Sequence, residues 1–268
     1  MARHTLHNGQ TVTVTSDQWD GDSLILAGTT TGPAPVATFT GPNTLTSVTD
    51  TGSATAPGYG AINLMPNGAL TVGGLTVKAA TLSLNERPGA HMTLNGTSRV
   101  ANGSTLTATG YSGAGAYTVN GTMAIDGTST VNMDYAAVDG SGTFHLTGED
   151  ALLRMGSVGS GNTVVLDGGM LSLTNGMKFM GTITDSAPGS SRISPFASVD
   201  VYNAMSAASE TFNETTGVLN LYDAQGGMVA NLKFAGTGDL YAAPTTGLAT
   251  NYIVISSHPG GLPVTITS

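Results

Sequence analysis

Between residues 60 and 185, short runs of alternating apolar and hydroxyl residues recur, each bounded by an Asn-Gly, Asp-Gly or Gly-Gly pair. Asn67-Gly68 precedes Ala69-Leu70-Thr71-Val72, and Gly73-Gly74 precedes Leu75-Thr76-Val77. Asn95-Gly96, Asn102-Gly103, Asn120-Gly121, Asp126-Gly127, Asp139-Gly140 and Asp167-Gly168 continue the series. Asn, Asp and Gly tolerate positive φ, so each pair marks a sharp corner. The runs between them have the period of two of a half-buried strand. A hairpin meander explains two strands about one turn, but explains less well a long alternation of turn and short strand. The pairs at Asn67, Asn95 and Asn120 start 28 and 25 residues apart. A spacing of that order gives one coil of a solenoid per repeat.

The expected fold is therefore all-β: a right-handed parallel β-helix, or β-solenoid, of about five or six rungs. Its rungs stack at about 4.8 Å. Val, Leu, Ile and Met point inward, and Thr and Asn line the outside. A β-sandwich or hairpin meander is the alternative. Three regions are expected. Residues 1–59 form an irregular N-terminal cap with strands at 11–15 and 24–26. A Pro/Thr-rich loop follows over 28–59, because Pro33, Pro35, Pro42 and Pro57 cannot donate to a central ladder. Residues 60–185 carry the rungs, and 186–268 form a C-terminal β module that opens at Pro188-Gly189. In that module 217–223 and 229–236 read as a hairpin or as consecutive rungs. The best candidate for a short helix is 202–208, and 149–154 reads as one helical turn or as a rung strand.

Only 9% of the residues are charged, against about a quarter in an average soluble domain. Hydrophobic residues make up 40%, so the chain can bury a core and solubilises itself with hydroxyls and amides. The net charge of −9, with 8 basic residues, excludes electrostatic binding to nucleic acid or to anionic membranes. The absence of cysteine excludes disulfides and thiol chemistry. There is no 18-residue apolar run and hence no expected transmembrane helix. The first residues lack the apolar stretch of a secretory signal. Export is nonetheless the expectation from composition, and a secreted or cell-surface location fits better than an intracellular one.

The pattern Gly217-x-Leu219-x-Leu221-x-Asp223-x-x-Gly226-x-x-Val229-Ala230-x-Leu232-x-Phe234-x-Gly236 resembles a module near the ends of large Gly/Thr/Asn-rich bacterial surface proteins. Those look like autotransporter passengers or type I-secreted adhesins. Phe179 to Ile183 and Ser198 to Val201 fit the same pattern. The chain departs from that family in its short length, in lacking an outer-membrane barrel pattern, and in lacking a calcium-binding nonapeptide. The resemblance implies a surface stalk, adhesin or matrix component that associates with itself or with other surface proteins. It carries over no catalytic residues, and the expected function is structural or adhesive and non-enzymatic.

Four candidate sites can be set beside that reading. Asp17, Asp20 and Asp22 surround Trp19; three carboxylates could hold a calcium ion, although a solvated turn is the simpler reading. Trp19, the single tryptophan, could stack on a sugar face or pack in a cap. Asp134, Asp139, Glu149 and Arg154 are the minority catalytic candidates, for a carbohydrate-binding or polysaccharide-cleaving β-helix. An acid–base mechanism would need a base tuned near working pH, and arginine is effectively always protonated. Thr-x-Thr at 11–13, 13–15 and 105–107 could begin a hydroxyl ladder that binds an ordered surface such as ice or crystalline polysaccharide. Such a face needs the motif on consecutive rungs, and the sequence does not repeat it regularly.

Overall fold

A computed structural model describes residues 1–110, 116–185, 197–202, 207–213, 215–235, 240–244 and 253–257. These residues form strands and turns, with no α-helix among them. In chain order the coils run through β1 (Arg3–His7) and β2 (Thr11–Val14), then β3 (Ser23–Ala27) and β4 (Val36–Phe39). Next come β5 (Pro42–Leu45), β6 (Ser47–Thr51) and β7 (Gly58–Leu64), then β8 (Ala69–Val72), β9 (Leu75–Lys78) and β10 (Ala80–Glu86). The path continues through β11 (His91–Leu94), β12 (Ser98–Ala101), β13 (Thr105–Gly110), β14 (Ala116–Val119), β15 (Thr122–Asp126) and the long β16 (Thr130–Asp139). It ends in β17 (Thr143–Thr147), β18 (Leu152–Val158), β19 (Thr163–Leu166), β20 (Gly169–Leu173), β21 (Thr182–Asp185) and β22 (Ala197–Val201).

The fold is a β-solenoid. Its first face stacks β1, β3, β6, β9, β12, β15, β17, β19 and β21 in parallel. Its second stacks β2, β4, β7, β10, β13, β16, β18, β20 and β22, also in parallel. A third, shorter face stacks β5, β8, β11 and β14, and its last strand pairs with the second half of β16. The register of β16 shifts between Met133 and Ala137, and a bulge there lets one strand close two faces. Beyond it each coil has two strands instead of three, so the repeat contracts. Thr44, Thr71, Thr93 and Thr118 are 27, 22 and 25 residues apart, whereas Thr122, Thr143, Thr163 and Thr182 are 21, 20 and 19 apart.

The core lies inside the coil. Alternation puts every second side chain inward, and parallel stacking without slippage makes the inward positions into columns. On the first face one column is Leu6, Leu26, Asp50, Val77, Val100, Ile125, Leu146 and Leu166. On the second face Phe39, Leu64, Glu86 and Gly110 form another. Each buried aliphatic side chain contributes about 1.5–3 kcal/mol. Two carboxylic acids thus stand in aliphatic columns, Asp50 at 0% and Glu86 at 3% exposure.

The Pro-rich stretch 28–59 departs from the expectation of a loop. It forms a full three-strand coil, and the solenoid begins near the N-terminus instead of at residue 60. The prolines are placed where a missing N–H costs nothing to a ladder. Pro33 and Pro35 lie in the turn before β4, Pro42 is the first residue of β5, and Pro57 directly precedes β7. In the 149–154 segment a turn leads into β18, so the strand reading holds from Leu152. Most of the helix candidate at 202–208 lies outside the described residues.

The C-terminal module closes the coil. Strands β23 (Ala207–Asn213), β24 (Val218–Asp223) and β25 (Met228–Phe234) form an antiparallel meander, and β25 then pairs in parallel with β21. Of the two readings of 217–236, the hairpin is found, turning at Gly226 with φ of 81°. An antiparallel pair, β26 (Leu240–Pro244) and β27 (Ile253–Ser257), joins β22 through Val199 and Ile255.

Surface ion pairs contribute little to this architecture. Arg99 of β12 reaches Asp126 of β15 on the next coil with its Nε 3.0 Å from Oδ2, and the Arg99 side chain is 63% exposed. Arg99→Ala is expected to change stability by no more than about 0.5 kcal/mol, measurable by chemical denaturation. A larger loss would mean that the pair holds the coils in register.

Candidate functional surface

Parallel stacking converts scattered threonines into continuous columns. On the third face Thr44, Thr71, Thr93 and Thr118 occupy the same register position on four successive coils. All four are exposed or half-buried. On the first face Thr122, Thr143, Thr163 and Thr182 do the same. A shorter column on the second face joins Thr81, Thr105 and Thr130. Beside the third-face column run Pro42, Ala69, His91 and Ala116, and His91 Nε2 shares a 3.1 Å hydrogen bond with the Thr118 hydroxyl. At the corner below, Asn120 donates to Asn95 Oδ1 at 3.0 Å, an amide ladder on stacked coils. Each column presents hydroxyl and methyl groups at the coil spacing of about 4.8 Å. With few charges, these faces have little long-range field and offer hydrogen bonds and methyl contacts instead.

The acidic triplet and Trp19 belong to the first coil. Trp19 is 6% exposed, stacks on the His4 ring at 4.1 Å between centroids, and meets Phe39 edge-on at 6.0 Å. Its backbone N–H donates to Asn43 Oδ1 at 3.0 Å. The aromatic is thus packed in the cap, with one face taken by His4. The three aspartates each have a local structural task. Asp17 adopts φ of 59° at the corner. Asp20 accepts from the Thr44 N–H at 2.6 Å. Asp22 accepts from the Ala2 N–H and lies 2.9 Å from His4 Nε2, and these contacts hold its carboxyl below the usual carboxylate range. Among the described residues no group of three or more His, Asp or Glu side chains is arranged to hold a metal ion.

Of the four catalytic candidates the structure joins two. Arg154 Nη1 lies 4.0 Å from Asp134 Oδ2 on the neighbouring coil. Asp139 is at the far end of β16, and Glu149 is exposed in the turn before β18. Sequence reasoning missed a third partner, Asp200, which follows Asn132, Arg154 and Ser172 in one register column. Asp200 is 4% exposed. Burial pushes its carboxyl up to about 6, although Arg154 pulls the other way. Burial likewise raises Asp134, also against Arg154. A carboxyl near 6 could exchange protons near neutrality. Arg154 is exposed, but the carboxyl that would act as the base is not.

The Thr columns were legible only in part: of the Thr-x-Thr segments named from sequence, 105–107 contributes Thr105 to the short second-face column, and none contributes to the longer columns of the first and third faces. Placing the chain coil by coil would have found them, because the threonine is the third residue of β5, β8, β11 and β14 and the first residue of β15, β17, β19 and β21. Asp50 and Glu86 also left a signal. In Leu82-Ser83-Leu84-Asn85-Glu86 the apolar phase predicts that position 86 points inward. Fold and outer surface together define a β-solenoid with hydroxyl-lined and amide-lined faces. No protein-family model matches the chain, and no curated protein matches it.

Proposed function

We propose that this chain is a non-enzymatic structural or adhesive module of a bacterial cell surface or extracellular matrix, exported and able to associate with itself or with other surface polymers. The observation that carries this reading is the alignment of threonines into uncharged columns on successive coils. A column of identical groups at constant spacing suits a partner that is itself repetitive, such as a polysaccharide or another solenoid. Many weak contacts in register add to firm retention through effective concentration. Hydroxyl and methyl contacts are little screened by salt, in contrast to a charge-driven patch.

The test is retention of the purified chain on insoluble polysaccharides and on bacterial cells, together with sedimentation of the protein alone. The expected result is retention or self-sedimentation that falls less than about twofold between 0.05 and 0.5 M NaCl and is unchanged by EDTA. Retention abolished by EDTA would replace this reading with a calcium-dependent site. Cleavage of a retained polysaccharide would replace it with an enzyme.

A further inference from the structure

We propose that Asn102 is a site of self-modification: the Gly103 nitrogen closes on the Asn102 side chain, and water then converts Asn102 to aspartate or isoaspartate, well ahead of the other Asn-Gly pairs. The site is independent of the adhesive reading, because Asn102 lies at a corner and in none of the threonine columns.

Six Asn-Gly pairs occur in the chain, starting at Asn8, Asn67, Asn95, Asn102, Asn120 and Asn175. Glycine carries no side chain to obstruct attack by its nitrogen, so all six share the same local chemistry. The fold separates them. Ring closure needs a glycine nitrogen released from any carbonyl partner and an asparagine side chain free to turn toward it. The Gly9 N–H donates to the Pro33 carbonyl at 2.8 Å, and both side-chain amide atoms of Asn8 are bonded to Thr29. Gly68 is buried, and its N–H donates to the Met65 carbonyl at 2.7 Å. Asn95 and Asn120 hold each other through the amide ladder, and the Gly121 N–H donates to the Leu94 carbonyl at 3.2 Å. Asn175 Oδ1 accepts from the Met177 N–H at 3.1 Å, and Gly176 is buried. Asn102-Gly103 differs from all of these. Both residues are exposed, and among the described residues neither the Asn102 side chain nor the Gly103 N–H has a hydrogen-bond partner.

The reaction needs no group beyond water and its hydroxide. The Gly103 nitrogen loses its proton to hydroxide and bonds to Asn102 Cγ. The bond from Cγ to Nδ2 breaks, and ammonia leaves with a proton taken from water. The product is a succinimide ring. Water then adds to one of the two ring carbonyl carbons and breaks the bond from that carbon to the nitrogen. Opening at Cγ gives aspartate, and opening at the main-chain carbonyl gives isoaspartate; nothing is oxidised or reduced. The two products act differently on the corner. Asn102 has φ of 59° and Gly103 of 70°. Aspartate tolerates that conformation as asparagine does, so the corner persists with a new negative charge. Isoaspartate inserts a methylene into the main chain between Ala101 and Ser104, which are tied together. The buried Ser104 hydroxyl donates to the Ala101 carbonyl and accepts from the Ala80 N–H at 3.3 Å. The corner must rearrange to accept the longer chain.

The test is incubation of the full chain in mildly alkaline buffer at physiological temperature, folded and in guanidinium chloride, with peptide mapping by mass spectrometry at intervals. Chromatographic retention separates the aspartate and isoaspartate peptides. In the folded chain Asn102 is expected to convert at least about fivefold faster than any of the other five, the factor that one net hydrogen bond confers. In denaturant all six are expected to convert at similar rates. Asn102→Gly keeps a residue that accepts positive φ and should lack the first gain of negative charge seen on ion exchange. The mapping of the native chain stands whether or not that variant folds. The proposal is overturned if another Asn-Gly pair converts as fast in the folded chain, if Asn102 stays intact there while the denatured chain converts, or if the same ranking persists in denaturant.

Discussion

The protein should be most stable in mildly acidic solution and should weaken steadily as pH rises through neutrality, the reverse of ordinary acid denaturation. The cause is the pair of carboxylic acids in aliphatic columns. Asp50 stands between Leu26 and Val77 at 0% exposure, and neither of its oxygens finds a partner among the described residues. The space for its carboxyl comes from β7, where a Cβ on Gly58 or Gly60 would lie 2.9 or 3.0 Å from an Asp50 oxygen. Burial pushes Asp50 up to about 7 and Glu86 up to about 8. Unfolded, both acids titrate near 4. Between about pH 4 and the folded values the native state binds more protons than the unfolded one, so stability falls with pH. The contribution is fully present below the unfolded value and is lost as pH rises through 7 and 8. Each pH unit separating the unfolded from the folded value corresponds to roughly 1.4 kcal/mol, so each acid contributes a few kcal/mol of pH-dependent stability. Melting temperature is then expected to fall by on the order of 10 °C between pH 5 and pH 9. Asp50→Asn should flatten that profile and melt higher than the native chain at pH 9. A native profile level from pH 5 to pH 9 would mean that these carboxyls reach water or a partner.

The second large effect is expected at a corner. Gly73, Gly96, Gly121 and Gly142 stack on successive coils so closely that no side chain fits. A Cβ on Gly96 would lie 1.7 Å from the Gly73 carbonyl oxygen, and one on Gly121 would lie 1.9 Å from that of Gly96. The obstruction is backbone, so no rotamer change relieves it; the coils must part or the corner must move. Gly96→Ala and Gly121→Ala are each expected to cost on the order of 4 kcal/mol, seen as a fall in melting temperature of about 10 °C. Gly89 provides the control. Its φ is +80° and no described atom would lie within 4 Å of an added Cβ, so Gly89→Ala should cost only the conformational penalty of about 1 kcal/mol. If Gly96→Ala were as mild as Gly89→Ala, the tight stacking of this corner would be wrong.

These glycines also show how much of the fold the sequence revealed. The Asn-Gly pairs located the corners, and the spacing of those at Asn67, Asn95 and Asn120 implied coils. Their physical basis is not uniform. Asn67, Asn102 and Gly103 do adopt positive φ, as turn chemistry predicts. Asn95-Gly96 and Asn120-Gly121 do not; there Gly permits the next coil to approach, and Asn extends a ladder. The irregular period has an equally local cause. One long strand, β16, absorbs the third face at a bulge, so the coils before and after it differ in length, and no single repeat length could describe both. The Pro-rich segment hides its strands because proline signals a broken ladder, whereas here each proline stands at a strand start or in a turn. At the surface, the Asp134–Arg154 neighbourhood was legible from charge alone. Asp200 was not, because its link to Arg154 runs through two further coils whose register only the stacked structure supplies.

The adhesive reading is tested most directly by charging one threonine face at a time and measuring retention. The first variant carries Thr71→Lys and Thr93→Lys on the third face; the second carries Thr143→Lys and Thr163→Lys on the first. All four positions point outward, so both variants should fold with melting temperatures close to that of the native chain. Each should then be compared with the native chain for retention on cells and insoluble polysaccharides and for self-sedimentation. Retention by the native chain that drops about tenfold in one folded variant, and much less in the other, is the result expected of a face that binds in register. Equal retention by all three folded proteins, or no retention of the native chain on any polymer, cell or second copy, would contradict the account.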